Sequence, residues 1–286
     1  MSHTSPSLAL SRLNPTLPIT ETAELLYMSS VETLVKFRKI SPLARRLVQS
    51  ELKTRLHNKL ENLFDHWQDV LTAMRTCNFV FSGKFVLSFL DPFANETFDH
   101  VEILAGDDRT KLVHFVNILK SRAYAEHLDY ITDVPDFRQG AYSGALWLSC
   151  PKTTVRIVIS VHTSPLFLIP QYVSTHLMNY LTPKYLHVAY PTLTFAKKGV
   201  LLVDDLPPSL FGTYQLGARG DILPGVDCDA SSSCGARYRW FNDPISLAVG
   251  FGERFTVEKV LHWKIGGDPC NVNCHPGLHL VGEDPH

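Results

Sequence analysis

From Leu43 onward the apolar residues Leu43, Leu47, Val48, Leu52, Leu56, Leu60 and Phe64 recur every three to five positions. That spacing predicts one long amphipathic helix with a single face turned to a core. Ser41-Pro42 supplies its start, with proline at the first helical position, where the missing N–H costs nothing. Upstream, Leu25, Leu26, Val31, Leu34, Val35, Phe37 and Ile40 predict two short helices broken near Ser29-Ser30, with Thr20 as an N-cap. The first 70 residues therefore read as all-helical.

The pattern changes at Cys77. Asn78 to Phe81 reads as a short buried strand, Ser82-Gly83-Lys84 as a turn, and Phe85 to Leu90 as the opening of a helix. Val101 to Leu104, Gly144 to Ser149 and Val155 to Val161 are further strand candidates, the last rich in β-branched residues. Leu112 to Ala125 and Phe167 to Leu181 carry helical spacing. Alternating strands and helices predict an α+β chain with an α/β core between roughly residues 71 and 200. Beyond Gly199 the chain is loop-rich, with short strands at Val200–Val203, Ser246–Val249 and Lys259–Trp263. The expected organisation is a tail over 1–16, a helical segment over 17–70, the core over 71–200 and a loop-rich C-terminal part over 201–286.

Composition narrows the function classes. Of 286 residues, 45% are hydrophobic and 19% charged, which excludes extensive disorder. Lys+Arg at 27 against Asp+Glu at 28 gives a net charge of −1, so no chain-wide field draws nucleic acid or anionic lipid. No apolar stretch approaches the ~20 residues of a membrane span. Met1 to Pro18 lack the continuous apolar stretch of a secretory signal, and the six cysteines form no dense framework. The expected setting is intracellular and reducing, in cytoplasm or nucleus, with no membrane partner. Local charge is less even: Lys36, Arg38, Lys39, Arg45, Arg46, Lys53, Arg55 and Lys59 face one acid, Glu51, between positions 36 and 59. This reads as a basic outer helix face, either solvated or in contact with a partner or a nucleic acid.

Several motifs recur in an order that resembles a family of proteins from mushroom-forming (basidiomycete) fungi. That family joins an F-box-like helical start to a nucleotidyltransferase-like domain. The residues carrying the resemblance are Leu17-Pro18 with the leucine-rich run to Val48, and the strand–turn–helix around Ser82-Gly83-Lys84. Further blocks are Thr163-Ser164-Pro165-Leu166, Ser174 to Asn179, Ala189 to Thr194, Ala218-Arg219-Gly220 and Arg237-Tyr238-Arg239-Trp240. The resemblance implies a nucleotidyltransferase-like mixed sheet with helices. It also implies a phosphate-facing turn at Ser82, Gly83 and Lys84, where backbone N–H groups and a hydroxyl meet an anion near a helix N-terminus.

Nucleotidyl transfer in such a fold requires two or three carboxylates on neighbouring strands, holding two divalent ions that activate the attacking hydroxyl. Aligned by the resemblance, these positions fall on His100, Glu102 and Arg156, so a single carboxylate is kept. Asp99 is one residue out of phase and points to the other sheet face. Arginine among metal ligands repels the ion it should help bind. The site is therefore expected to be vestigial, with Arg156 pairing with Glu102 across adjacent strands or helping to bind an anion or nucleotide without metal. Asp204-Asp205 offers other carboxylates, or simply a turn before Pro207-Pro208. His100 and Glu102 together offer a softer metal site.

Cys228, Cys234, Cys270 and Cys274 offer a zinc alternative, with His275 or His279 as substitutes, although their spacings are looser than zinc knuckles use. No cofactor is expected; magnesium at the carboxylates and zinc at the cysteines are the alternatives. The function expected is a degenerate, non-catalytic nucleotidyltransferase-like protein, a pseudoenzyme that binds a protein partner or an anionic ligand. The alternatives are an active nucleotidyltransferase on nucleotide or nucleic acid, and an F-box-type substrate receptor of a ubiquitin ligase.

Overall fold

A computed structural model describes residues 24–92, 98–121, 128–149, 152–203, 213–222, 239–257 and 262–263. A helical turn over 24–27 and then three helices open it. In α1 (Val31–Phe37) the Ser30 hydroxyl caps the first turn by accepting from the Thr33 N–H at 3.2 Å. In α2 (Pro42–Glu61) Ser41 accepts from Ala44 N–H at 3.0 Å, with Pro42 in the first turn as the sequence predicts. A third helix, α3 (Trp67–Cys77), ends at Asn78, whose φ of 59° is the left-handed conformation that stops a helix.

The α2 stripe is shifted from the expected one. Ala44, Val48, Leu52, Leu56 and Leu60 are buried, whereas Leu43 is 59% exposed. A strict four-residue step from Ala44 puts Leu43 a quarter-turn off the core side. Arg55 lies on the buried stripe too, donating to the carbonyls of Leu26 and Tyr27 at 3.2 Å and to Glu51. Lys59 lies over the rings of Phe85 and Phe98, at 5.6 and 5.1 Å. The basic outer face is thus smaller than the charge pattern implies, because two of its eight members turn inward.

After α3 come β1 (Val80–Ser82) and α4 (Gly83–Leu90), then β2 (His100–Ala105), α5 (Arg109–Ser121), β3 (Leu128–Ile131), β4 (Tyr142–Ser149) and β5 (Thr154–Ser160). Next are β6 (Asn179–Leu181), β7 (Tyr185–Val188), α6 (Pro191–Phe195), β8 (Lys198–Val200), β9 (Gln215–Gly217), β10 (Arg239–Trp240), β11 (Leu247–Gly250) and β12 (His262–Trp263). Eight strands form one mixed sheet in the order β11-β7-β6-β1-β2-β5-β4-β3. Only β2 and β5 run parallel within it. The chain is therefore mixed α+β. Helix α4 packs on β1, β2 and β6 and also touches α1, while α3 packs on α5. One apolar cluster runs from Leu26 through the sheet to Trp263, so the N-terminal helices share the sheet's core.

One expected helix needs correction. Phe167–Leu181 is not a helix. Pro165–Gln171 and Thr175–Leu177 form 3-10 turns, and Asn179–Leu181 is strand β6. Pro170 removes a helical donor there, and β-branched Val173 and Thr175 resist helix. The strand expected at Ser246–Val249 is present as β11, one residue further on, and it pairs antiparallel with β7. A buried clamp holds the adjoining segment. Arg239 pairs with Asp243, donates to the Ala189 carbonyl at 2.7 Å and lies 4.5 Å from the Tyr190 ring.

Candidate functional site

Parallel pairing of β2 with β5 sets Glu102 directly opposite Arg156. On the far side of β2, Ser82 of β1 registers with Glu102; beyond β5, Trp147 of β4 registers with Arg156. One row across four central strands is therefore Ser82, Glu102, Arg156 and Trp147, and opposed residues share a sheet face. The polar members of this row are drawn together at the centre of the sheet.

Glu102 and Arg156 form a buried ion pair, at 1% and 7% exposure. The same Nη2 of Arg156 also donates to Asp136 Oδ2 at 2.5 Å. Tyr172 donates its hydroxyl to the other Glu102 oxygen. The Tyr172 ring lies 4.3 Å from that of Phe137, beside Asp136, and Phe137 bridges to Tyr172 through the backbone. Arg156 faces the Trp147 ring at 5.6 Å. Burial pushes the Glu102 carboxyl above the ordinary carboxylate range, with the Arg156 charge pulling the other way. Burial alone would lower the Arg156 guanidinium, but the carboxylates of Glu102 and Asp136 overcome it and raise it further.

The Ser82-Gly83-Lys84 turn sits against this cluster. Gly83 has φ +64°, and a methyl at its Cα would lie 2.6 Å from Glu102 Oε1. The glycine thus permits both the left-handed turn and the close approach of the carboxylate. Ser82 is fully buried and donates its hydroxyl to the Asn179 carbonyl at 2.8 Å. A phosphate at this turn would meet a spent hydroxyl and the Glu102 carboxylate. Lys84 is half-buried. His100 lies 4.9 Å from the Trp147 ring; burial, then the Arg156 charge, lower it to about 4. His176 bonds to Ser174 Oγ at 2.9 Å and lies 4.8 Å from Tyr214. Burial, then the Lys84 charge, hold it down to about 3. Both imidazoles are neutral at pH 7.

The donor set does not fit a two-metal centre. Glu102 and Asp136 are the two carboxylates present, and both are engaged by one guanidinium. A divalent ion ~4 Å from that guanidinium would be repelled by about 8 kcal/mol at an effective dielectric near 20. Among the described residues no group of three His, Cys, Asp or Glu side chains is placed to hold a metal. Asp204, Asp205, Cys228, Cys234, Cys270 and Cys274 lie outside the described residues.

Of the residues singled out in the sequence, Ser82, Gly83, Glu102 and Arg156 converge, with His100 alongside on Trp147. Asp136 and Tyr172 were not singled out. They come from irregular segments, Asp136 between β3 and β4 and Tyr172 at the end of the first 3-10 turn after β5, and no spacing rule links them to Glu102. A buried arginine in a strand was the one available signal, since it requires more than one acceptor. No protein-family model, curated protein or solved structure matches the chain.

Proposed function

We propose that this chain is a non-catalytic, nucleotidyltransferase-like protein that works by binding a protein partner. The observation carrying the reading is the Arg156 guanidinium between Glu102 and Asp136, at a position where the sequence resemblance calls for a metal-binding carboxylate. A cation fixed there by two carboxylates and a neighbouring tyrosine network serves structure, and the phosphate-facing turn is filled from within by Glu102. A small anion is the less favoured ligand at that turn for the same reason.

Calorimetric titration with magnesium or manganese and a nucleoside triphosphate, followed by a pyrophosphate-release assay, tests this. The expected result is no two-ion binding and no release. Stoichiometric turnover that vanishes in Glu102→Gln while the variant stays folded would overturn the reading.

A further inference from the structure

Three clefts adjoin on the β11 side of the molecule and follow the chain from Ile245 to Thr256. The first, about 530 Å³, lies between Ile245 to Leu247 and two lysines, Lys36 of α1 and Lys39 beyond its end. The second, about 310 Å³, shares Lys39 with it and adds Arg38, Arg45 and Gln49. The third, about 690 Å³, shares Phe255 with the second and continues past Arg254 to Arg75 and Lys184. Phe255 is a fixed wall between the last two. Its ring stacks on Tyr185 at 4.6 Å, and a methyl at Gly250 would lie 2.5 Å from it.

Among the described residues, Glu32 and Glu253 are the acids that line these clefts. Each is already engaged, Glu32 by Lys36 at 2.6 Å and Glu253 by Arg75 at 3.3 Å. The other five cations, Arg38, Lys39, Arg45, Lys184 and Arg254, have no carboxylate partner among the described residues. The excess is local, since the whole chain carries a net charge of −1. Arg38 is held in place by donating Nη1 to the Ala248 carbonyl at 3.3 Å. Burial, then the Arg45 charge, lower its guanidinium. Two guanidiniums kept near one another without a carboxylate repel, and an anion beside them offsets that cost.

We propose that the three clefts form one track for the phosphate backbone of a single-stranded nucleic acid. A phosphodiester chain carries a charge at every nucleotide, which matches cations strung along adjoining clefts. A lone phosphate would meet those of one cleft only. Arginine and lysine both bind phosphate, the guanidinium as a fork and the ammonium as a point charge. Phe255, half-buried and lining two of the clefts, offers a base the apolar surface on which sequence-tolerant binding rests. The inference is independent of the Glu102 cluster, because the two surfaces share no residue.

A fluorescein-labelled thymidine oligonucleotide of about 16 nucleotides, titrated with the full chain and read by anisotropy between about 25 and 100 mM salt, is the probe. Five phosphate contacts predict a log–log salt slope of about −3.5 and a Kd of about 10–100 μM at about 50 mM salt. Arg45→Gln and Arg254→Gln remove exposed charges from different clefts. Each should reduce the slope by about 0.7 and weaken binding about eightfold at about 50 mM salt, and the double variant should combine both losses. Arg46→Gln removes a charge that is exposed on α2 and lines none of the three clefts, so it should leave binding unchanged. No saturable binding, or equal weakening by Arg46→Gln, would overturn the proposal. So would an Arg254→Gln variant that binds like the parent, since the track would then stop at Phe255. Displacement by inorganic phosphate at matched ionic strength would reduce the site to a single-anion pocket. Displacement by an equally charged glutamate peptide at equal or lower concentration would assign the surface to an acidic protein instead.

Discussion

Removing the Arg156 side chain is the most direct test of how the central cluster is held. In Arg156→Ala the Glu102 carboxylate, 1% exposed, loses its counter-charge and keeps only the Tyr172 hydroxyl. Asp136 is 30% exposed and can be hydrated, so Glu102 carries most of the penalty. Breaking a buried pair from one side costs about 3–5 kcal/mol. The deficit should depend on pH with a definite sign. The Glu102 pKa is already raised in the folded state by burial, and loss of the opposing guanidinium raises it further. A carboxyl raised on folding contributes stability that is complete below its unfolded value, about 4.3, and is lost as pH rises through the folded value. The variant's deficit is therefore largest near neutrality and shrinks on acidification. Urea unfolding of both proteins at about pH 7.5 and about pH 5 measures this. The double variant Glu102→Leu, Arg156→Met should recover part of the loss, because no fully buried charge is stranded, although the Tyr172 hydroxyl loses its acceptor. A deficit below about 1 kcal/mol, or one that does not change with pH, would refute the account, since a buried stranded carboxylate must do both.

Three further outcomes are expected. Gly83→Ala forces a methyl toward Glu102 Oε1 in a left-handed turn and should cost about 2 kcal/mol or more, read from the urea midpoint; an unchanged midpoint would mean the turn relaxes freely. Arg55→Met removes donors to the Leu26 and Tyr27 carbonyls and should cost about 2–3 kcal/mol, with faster proteolysis around residues 24–30; unaltered cleavage there would show that the segment is held by packing alone. His100 and His176, lowered by burial to about 4 and about 3, contribute stability that is complete above the unfolded value near 6.5 and lost as pH falls through the folded values. His176→Gln should flatten part of that acid loss, and an unchanged acid slope in the variant would count against a neutral buried imidazole.

Local chemistry settled much of this molecule before any long-range contact was known. Ser30 and Ser41 cap their helices because a hydroxyl just ahead of an apolar run is the cheapest partner for a first-turn N–H. The strand–turn–helix from Val80 to Leu90 follows from an apolar run interrupted by glycine, whereas the facing of Glu102 and Arg156 rests on the parallel register of β2 with β5, a tertiary pairing that only the resemblance pointed to. Period says which side a residue faces and nothing about what arrives opposite it. Tertiary packing alone turned Arg55 and Lys59 inward, brought Asp136 and Tyr172 to the central pair, and carried β11 to the edge beside β7. The stretch from Phe167 to Leu181 departs from its helical spacing for the same reason. Apolar residues without clear alternation fit a helix or a buried non-helical segment equally well, and only Pro170 together with pairing to β1 decided between them.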